Sequence, residues 1–399
     1  MSTTIFRKGL NLKNVVADEL ARDYHSQLIE QIRSNDYAHR AGRLTVRLAK
    51  EFGFCYGVDR AVDYAYQTKR KFPEKMVYLT GEIIHNPHVN KQLRSAGIRF
   101  LSDVSENITN VTENDVVILP AFGVTIASLE QLTRCGCTLV DTTCGSVLNV
   151  WKNVRQYARD GYTAVIHGKV KHEETQATAS QAITTSQGRY LIILDRNEAT
   201  ELCRYITGSI SKTAFNSRFE HAYSEEFDPS RDLERVGLAN QTTMLMSESL
   251  AIGEMVRQAM IERYGEANID EHYRSFDTIC SATQDRQDAV EHLLRSYPLD
   301  LSIVIGGYNS SNTRNLARMC SGRVPTYHIA EPDCLISNSS VIHLPVSETT
   351  TGAPSKNTEP WLPSRGPITI GVTAGASTPD NIVGQVINRL VEIAGTDAQ

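Results

Sequence analysis

Phe54-Cys55-Tyr56-Gly57-Val58-Asp59-Arg60-Ala61, Thr143-Cys144-Gly145-Ser146-Val147-Leu148-Asn149-Val150 and Ile279-Cys280-Ser281-Ala282-Thr283-Gln284-Asp285-Arg286 each set a cysteine at the junction of an apolar stretch and a helix-like one. Each is followed by a polar cluster: Ile84-His85-Asn86-Pro87-His88, Val170-Lys171-His172-Glu173-Glu174 and Tyr308-Asn309-Ser310-Ser311-Asn312. His85 comes thirty residues after Cys55, His172 twenty-eight after Cys144 and Ser310 thirty after Cys280, the length of one β/α unit plus the next strand. A third element recurs, a strand running into a small or hydroxylated turn: Ala121-Phe122-Gly123-Val124-Thr125, Asn240-Gln241-Thr242-Thr243 and Thr373-Ala374-Gly375-Ala376-Ser377. Such an internal repeat predicts three similar α/β domains, each offering one cysteine and one or two polar sets to a common centre. In parallel sheets the ligand-binding positions lie beyond the carboxyl ends of strands, where these clusters fall.

Working outward, short β-branched runs alternate with amphipathic stretches of a dozen residues. Strands are predicted at Met76 to Leu79, Val116 to Leu119, Ala164 to His167, Leu191 to Leu194, Ile303 to Ile305, Val341 to Leu344 and Ile368 to Val372. Residues 1–45 are polar and helix-favouring, with Leu20, Leu28, Ile29 and Ile32 at helical spacing, and read as an appendage packed on the body. Two stretches break the rhythm, Thr207 to Leu233 and the proline-rich Val346 to Pro367, and both read as surface insertions or linkers. The expected division is an N-terminal extension over 1–45 and α/β domains over 46–143, 144–279 (insertion about 207–233) and 280–399 (insertion about 346–367).

A chain of 399 residues accommodates two or three domains of ~150 residues. Its net charge of −5 implies no large cationic face, which excludes bulk nucleic-acid binding. Asp18, Glu19, Asp23 and Glu30 near the start fit neither a secretory signal nor a transit peptide. No run approaches the ~18 to 20 apolar residues that cross a bilayer. The expected location is cytoplasmic, and the eight cysteines are too sparse for a disulfide framework.

Three cysteines from three domains suit an iron–sulfur cluster with three thiolate ligands and one open iron, which can bind an oxygen as a Lewis acid and deliver electrons. The competing reading is that they are core cysteines. Cys135-Gly136-Cys137 with Cys144 matches no common zinc spacing, and Cys135, Cys137, Cys203, Cys320 and Cys334 read as structural. His85, His172, the Asn309-Ser310-Ser311-Asn312 run and Ser377 make an anion site, with donors at strand-to-helix turns where helix N-termini add backbone N–H groups. Thr378 as N-cap and Pro379 at the first helical position support that reading. Taken singly, the serines are equally readable as helix caps. Glu174 is placed to relay protons and Thr242 or Thr243 to carry a hydroxyl relay, with a solvated or capping Glu174 the alternative. There is no nucleotide-binding glycine loop, and Gln176 stands where a zinc-protease helix needs its second histidine.

Together these segments resemble the 4-hydroxy-3-methylbut-2-enyl diphosphate reductases, the LytB-type terminal enzymes of the non-mevalonate isoprenoid pathway. The matching stretches are Gly53-Phe54-Cys55-Tyr56-Gly57-Val58-Asp59-Arg60-Ala61, Ile84-His85-Asn86, Asp141-Thr142-Thr143-Cys144, His172-Glu173-Glu174, Gln241-Thr242-Thr243, Asp277-Thr278-Ile279-Cys280-Ser281-Ala282-Thr283, Asn309-Ser310-Ser311-Asn312 and Val372-Thr373-Ala374-Gly375-Ala376-Ser377, in family order over roughly Val46 to Leu390. The resemblance implies a pseudo-threefold trefoil of three α/β domains around a 4Fe-4S cluster on Cys55, Cys144 and Cys280, which becomes 3Fe-4S if the open iron is lost. It implies His85, His172, Ser310, Ser311, Asn312 and Ser377 as diphosphate contacts and Glu174 as proton donor, with Thr242 and Asn312 in its hydrogen-bond network. The resemblance further implies that the allylic hydroxyl binds the open iron, that two electrons and one proton expel water, and that the second proton, added to the resulting allyl anion equivalent at either end, gives isopentenyl or dimethylallyl diphosphate.

One position departs from the commoner family pattern: Phe122 stands where a histidine precedes Gly-Val. Lys169 or Lys171, beside His172, is expected to supply the missing charge. The extension and insertions resemble the longer cyanobacterial and plastid-type members, which implies ferredoxin or flavodoxin as external electron donor. The rival functions are a non-redox iron–sulfur hydro-lyase and an iron–sulfur sensing or binding protein.

Overall fold

The computed structural model describes residues 3–276, 279–346 and 353–396. Asp277 and Thr278 of the third cysteine motif, and residues 347–352 of the second insertion, lie outside them. The chain forms two compact units, Met1–Ile5 with Asn107–Cys280, and Phe6–Glu106 with Ser281–Gln399. Both are α/β.

In the unit that carries the C-terminal segment from Ser281, a five-stranded sheet runs Thr326–Ile329, Leu301–Ile305, Ile368–Ala374, Leu44–Leu48, Ala38–Ala41. All neighbours are parallel except the last pair. Leu301–Ile305 is buried along its whole length, so both faces need apolar side chains and the sequence runs Leu-Ser-Ile-Val-Ile rather than alternating. Ile303 and Ile305 join a core with Ile382, Val386 and Leu390 of helix Asp380–Thr396, while Val304 packs with Val290 and Leu316 of helices Ser281–Ser296 and Ser311–Ser321. The N-terminal appendage contributes Ile29 and Ile32 to the first of these cores. Strands Val77–Leu79 and Ile98–Phe100 pair in parallel in the same unit.

The other unit carries the parallel pair Val116–Leu119 and Thr138–Asp141 and a four-stranded parallel sheet ordered Tyr273–Ser275, Val236–Asn240, Thr163–His167, Tyr190–Ile193. One face packs Ala164 and Ile166 on Val150, Val154 and Tyr157 of helix Gly145–Arg159 and on Ala179 of helix Glu173–Ala182. The other packs Val165 on Leu202, Ile252 and Val256 from helices Arg196–Ile206 and Met246–Tyr264. Among the described residues no helix is long and apolar enough to cross a membrane.

All seven predicted strands form, with ends displaced by no more than a few residues. One changes company: Ser340–His343 lies antiparallel between Leu335–Ser337 and Ser355–Asn357 in a small separate sheet. Neither break in the rhythm is a mere surface insertion. Helix Lys212–Arg218, capped by Ser211, buries Phe215, and Phe219 and Leu233 follow it into the core beside Leu202 and Val236. In the second, Trp361 and Leu362 are buried with Leu335 and Val341, and the Trp361 indole donates to the Ser337 carbonyl (2.6 Å). Sparse, unevenly spaced aromatics supply these contacts, so no period announces them. Phe215→Ala should therefore destabilise its unit by about 3–5 kcal/mol, the cost of a truncated core phenylalanine, measured by denaturant unfolding; a surface position would change it by ~0.5 kcal/mol or less.

Candidate functional site

In the C-terminal unit three segments lock together just beyond the strand ends. Gly307 follows strand Leu301–Ile305 closely, and a Cβ there would lie 2.4 Å from the His85 carbonyl oxygen, so only glycine permits the approach. Ser310 then caps helix Ser311–Ser321 by accepting from the Thr313 N–H. The Asn312 Oδ1 accepts the Ala376 N–H (2.9 Å), and the Ser377 hydroxyl donates to the His85 carbonyl (3.2 Å). His85, Ser310, Ser311, Asn312 and Ser377 are each less than one-tenth exposed. The Asn312 Nδ2 is buried with no partner among the described residues. Helix N-termini follow two of these segments, after the Asn86 cap of Pro87–Ser95 and the Ser310 cap, so unsatisfied N–H groups add to the donor set.

The His85 ring is fixed by Glu82, whose Oε2 lies 2.9 Å from Nδ1 and also accepts from the Asn309 amide (3.0 Å). Burial opposes ionisation of Glu82, yet the bonds from His85 and Asn309 hold its carboxyl below the usual range. An ionised Glu82 accepts from the Nδ1 side of the ring, which fixes the orientation of His85. In this unit the hydroxyl of Thr378 donates to the Ile305 carbonyl (3.1 Å) instead of capping, and the last helix begins at Asp380, one residue after Pro379.

In the other unit, His172 caps helix Glu173–Ala182, its Nδ1 accepting the Glu174 N–H (3.2 Å). That bond requires Nδ1 unprotonated, so Nε2 carries the hydrogen. Glu174, 3% exposed, accepts the Thr242 N–H on Oε1 at 2.6 Å. Gln241 braces the surrounding turns: its Oε1 accepts from the Lys169 N–H and the Thr175 hydroxyl, both at 3.2 Å, and its amide donates to Thr243 Oγ1 (2.8 Å). The Phe122 ring stands edge-on to His172, centroids 6.0 Å apart, in the place the family pattern gives to a histidine. Lys169 is half-buried and Lys171 exposed.

The three singled-out cysteines share a setting. Cys55 and Cys144 are the N-cap residues of helices Tyr56–Lys71 and Gly145–Arg159, without a side-chain cap hydrogen bond, and Cys280 directly precedes helix Ser281–Ser296. All three are half-buried. The Cys55 N–H bonds the Ala376 carbonyl within the C-terminal unit. In the other unit the Cys144 N–H bonds Ala121 O beside Phe122, and the Cys280 N–H bonds Thr242 O beside the Glu174 partner. Helix N-termini favour thiolates and other anions. Burial pushes the Cys137 and Cys203 thiols up to about 11 and that of Cys320 to about 12, which suits packing rather than metal binding.

A match to the LytB protein family spans residues 46–391. The chain belongs to the LytB family. Among curated relatives, the 4-hydroxy-3-methylbut-2-enyl diphosphate reductase of Gloeobacter violaceus is 48% identical, over 99% of this chain and 94% of its own. That of Thermosynechococcus vestitus is 46% identical, over 98% and 94%. A solved structure of (E)-4-hydroxy-3-methyl-but-2-enyl diphosphate reductase, the terminal enzyme of the non-mevalonate pathway, superposes with a TM-score of 0.50 at 28% identity, covering 87% of this chain and 99% of that one. The Plasmodium falciparum E-1-hydroxy-2-methyl-but-2-enyl-4-diphosphate reductase has a TM-score of 0.59 over 86% of each chain and, at 22% identity, attests the fold. The LytB-family chain is thus an oxidoreductase with the family's α/β fold.

Three supporting contacts of this LytB-family chain escaped sequence reasoning: Glu82 to His85, Asn309 to Glu82, and Gln241 to the turns around Thr242. Each orients another group, and only Asn309 and Gln241 had a signal, their places in motifs singled out from the sequence. Two buried histidines underlie the polar loops in the same way. His167 ends strand Thr163–His167 with Nδ1 2.8 Å from Ser249 Oγ, and His328 Nε2 donates to Gly306 O (3.0 Å). Burial lowers each to about 4, so both are neutral when folded. Unfolded histidine titrates near ~6.5. As pH falls the unfolded chain takes up these protons first, so their contribution is complete above ~6.5 and declines toward pH 4 by up to ~1.4 kcal/mol per pH unit for each. Urea unfolding between pH 7 and pH 5 should show this decline, and His167→Asn should make it shallower; an unchanged slope would mean His167 is not held neutral.

Proposed function

We propose that the chain converts 4-hydroxy-3-methylbut-2-enyl diphosphate, with two electrons and two protons, into isopentenyl or dimethylallyl diphosphate and water. Cys55, Cys144 and Cys280 would hold a 4Fe-4S cluster, and three α/β domains, 46–143, 144–279 and 280–399, would follow the 1–45 extension. The reading is supported by family membership, and one observation carries it: a buried carboxyl group, Glu174, gripped by the Thr242 N–H at 2.6 Å and set two residues after His172. The donor set fits a cluster, since Cys55 and Cys144 lie at positive helix ends with thiols uncommitted to capping.

When bound, the cluster supplies the electrons and an open iron as a Lewis acid for the allylic hydroxyl. The chain's own residues do the rest. His85, Ser310, Ser311, Asn312 and Ser377 hold the diphosphate of the substrate, whose non-bridging oxygens need several N–H and O–H donors, and His172 adds the Nε2 hydrogen that its tautomer fixes. Glu174 delivers a proton to the departing hydroxyl. The Thr242 N–H keeps the carboxylate oriented and stabilises it once the proton has gone. Lys169 or Lys171 supplies the charge that Phe122 cannot. Electrons come from outside, since no flavin or nicotinamide motif stands in the chain, and ferredoxin or flavodoxin is the donor that the resemblance to the longer cyanobacterial and plastid-type members implies.

Anaerobically prepared protein should hold about four irons, the number in a 4Fe-4S cluster, and turn over the hydroxylated diphosphate only with a reductant. Iron with turnover lacking any reductant requirement would make it a hydro-lyase, and iron without turnover a sensor. Glu174→Gln should keep iron and substrate binding and lose about 100-fold or more in turnover; full activity would remove Glu174 from the mechanism. Lys169→Ala or Lys171→Ala should raise KM about tenfold, the worth of one charged hydrogen bond, with kcat little changed; an unaltered KM in both would end the charge-replacement idea.

A further inference from the structure

Arg286 lies in the second turn of helix Ser281–Ser296, six residues beyond Cys280, and is only 4% exposed. Its guanidinium makes two hydrogen bonds, both to main-chain carbonyls: Nη1 to Ala282 O (2.8 Å) and Nη2 to Gly53 O (2.7 Å). Nε is buried without a partner, and among the described residues no carboxylate pairs with the side chain. A buried arginine satisfied only by carbonyls is costly, because desolvating a full charge is repaid well only by an opposite charge nearby.

What it touches explains where that charge belongs. Gly53 lies two residues before Cys55 and Ala282 two residues after Cys280. The Gly53 turn is tight: φ is +75°, and a Cβ would sit 3.0 Å from Asp380 Oδ1 and 3.2 Å from Thr378 O. Backbone bonds from the Gly53 and Cys55 N–H groups to Ala374 O and Ala376 O fasten one side of this turn, and Arg286 fastens the Gly53 carbonyl. One side chain thus ties the approach to one cysteine to the first turn after another.

We infer that Arg286 is a positioning residue for the cluster: it sets the Cys55 turn against the start of the Cys280 helix, and its charge balances the negative cluster with its thiolates. This rests on the cysteine ligation proposed above. A guanidinium in a poorly screened interior favours the state with one more electron, so it raises the midpoint potential. The planar fork also reaches the two carbonyls from separate nitrogens held in fixed geometry, whereas a lysine offers all its donors from one flexible ammonium.

The test compares wild type, Arg286→Lys and Arg286→Met, reconstituted anaerobically, by iron content, iron release to a chelator, and midpoint potential. Arg286→Met should release iron about tenfold faster, as loss of a group supporting the ligands does, and should have a lower midpoint potential. Arg286→Lys should release iron nearly as fast, yet recover most of the potential because it keeps the charge. Should Arg286→Met fail to fold, as read by circular dichroism of the apoprotein, Arg286→Lys alone decides: slow, wild-type-like release overturns the tether. Wild-type release and potential in Arg286→Met overturn the whole inference. A wild type that takes up no iron overturns the cluster assignment instead, a result read before any variant is compared.

Discussion

Burial of parallel strands on both faces is the constraint that everything else in this protein obeys. Strands such as Leu301–Ile305, Thr163–His167 and Val236–Asn240 are covered above and below, so a polar side chain within them meets apolar atoms on either side. Polar chemistry is pushed to the carboxyl ends, where the chain leaves the sheet and the next helix begins. His85, His172, Thr242 and Ser377 stand in such turns, and Asn312 in the first turn of helix Ser311–Ser321. The turns are held by contacts that admit no side chain, as at Gly307 against the His85 carbonyl and Gly375, where a Cβ would meet the Thr313 hydroxyl at 2.0 Å.

Helix beginnings are the second common element. A helix prefers Ser, Thr, Asp or Asn as its N-cap, and loss of such a cap costs about 1 kcal/mol. Asn86, Thr125, Asp195, Ser211 and Ser310 follow the rule with side-chain cap bonds. Cys55 and Cys144 break it, and their helices begin without that support. Giving up a cap is consistent with a thiol reserved for another ligand, and the positive end of the helix dipole favours that thiol as thiolate.

Orientation of the reactive side chains comes from neighbours with no chemistry of their own. Glu82 fixes His85, the backbone N–H of Glu174 selects the His172 tautomer, the Thr242 N–H grips Glu174, and Gln241 binds the turns around them. His167 and His328, neutral because they are buried, support the loops from below. Phe122 packs edge-on against His172, an aromatic contact that brings no charge of its own to the turn.

The sequence by itself determined the elements whose signal is local. Apolar runs located all seven predicted strands, the cysteine-to-helix junctions placed the thiols, and the repeated spacing put His85, His172 and Ser310 in equivalent turns, since period and capping depend on residues a few positions apart. Phe215, Phe219 and Trp361 were read as surface because isolated aromatics carry no period, and only packing made them core. Tertiary structure alone decided that Leu44–Leu48 pairs with Ile368–Ala374, that Glu174 meets Thr242 across 68 residues of chain, and that Arg286 reaches Gly53 across 233. Such partners are set by which strands lie side by side in a sheet and by close packing of the loops that follow them, and no window of sequence contains both halves of the contact.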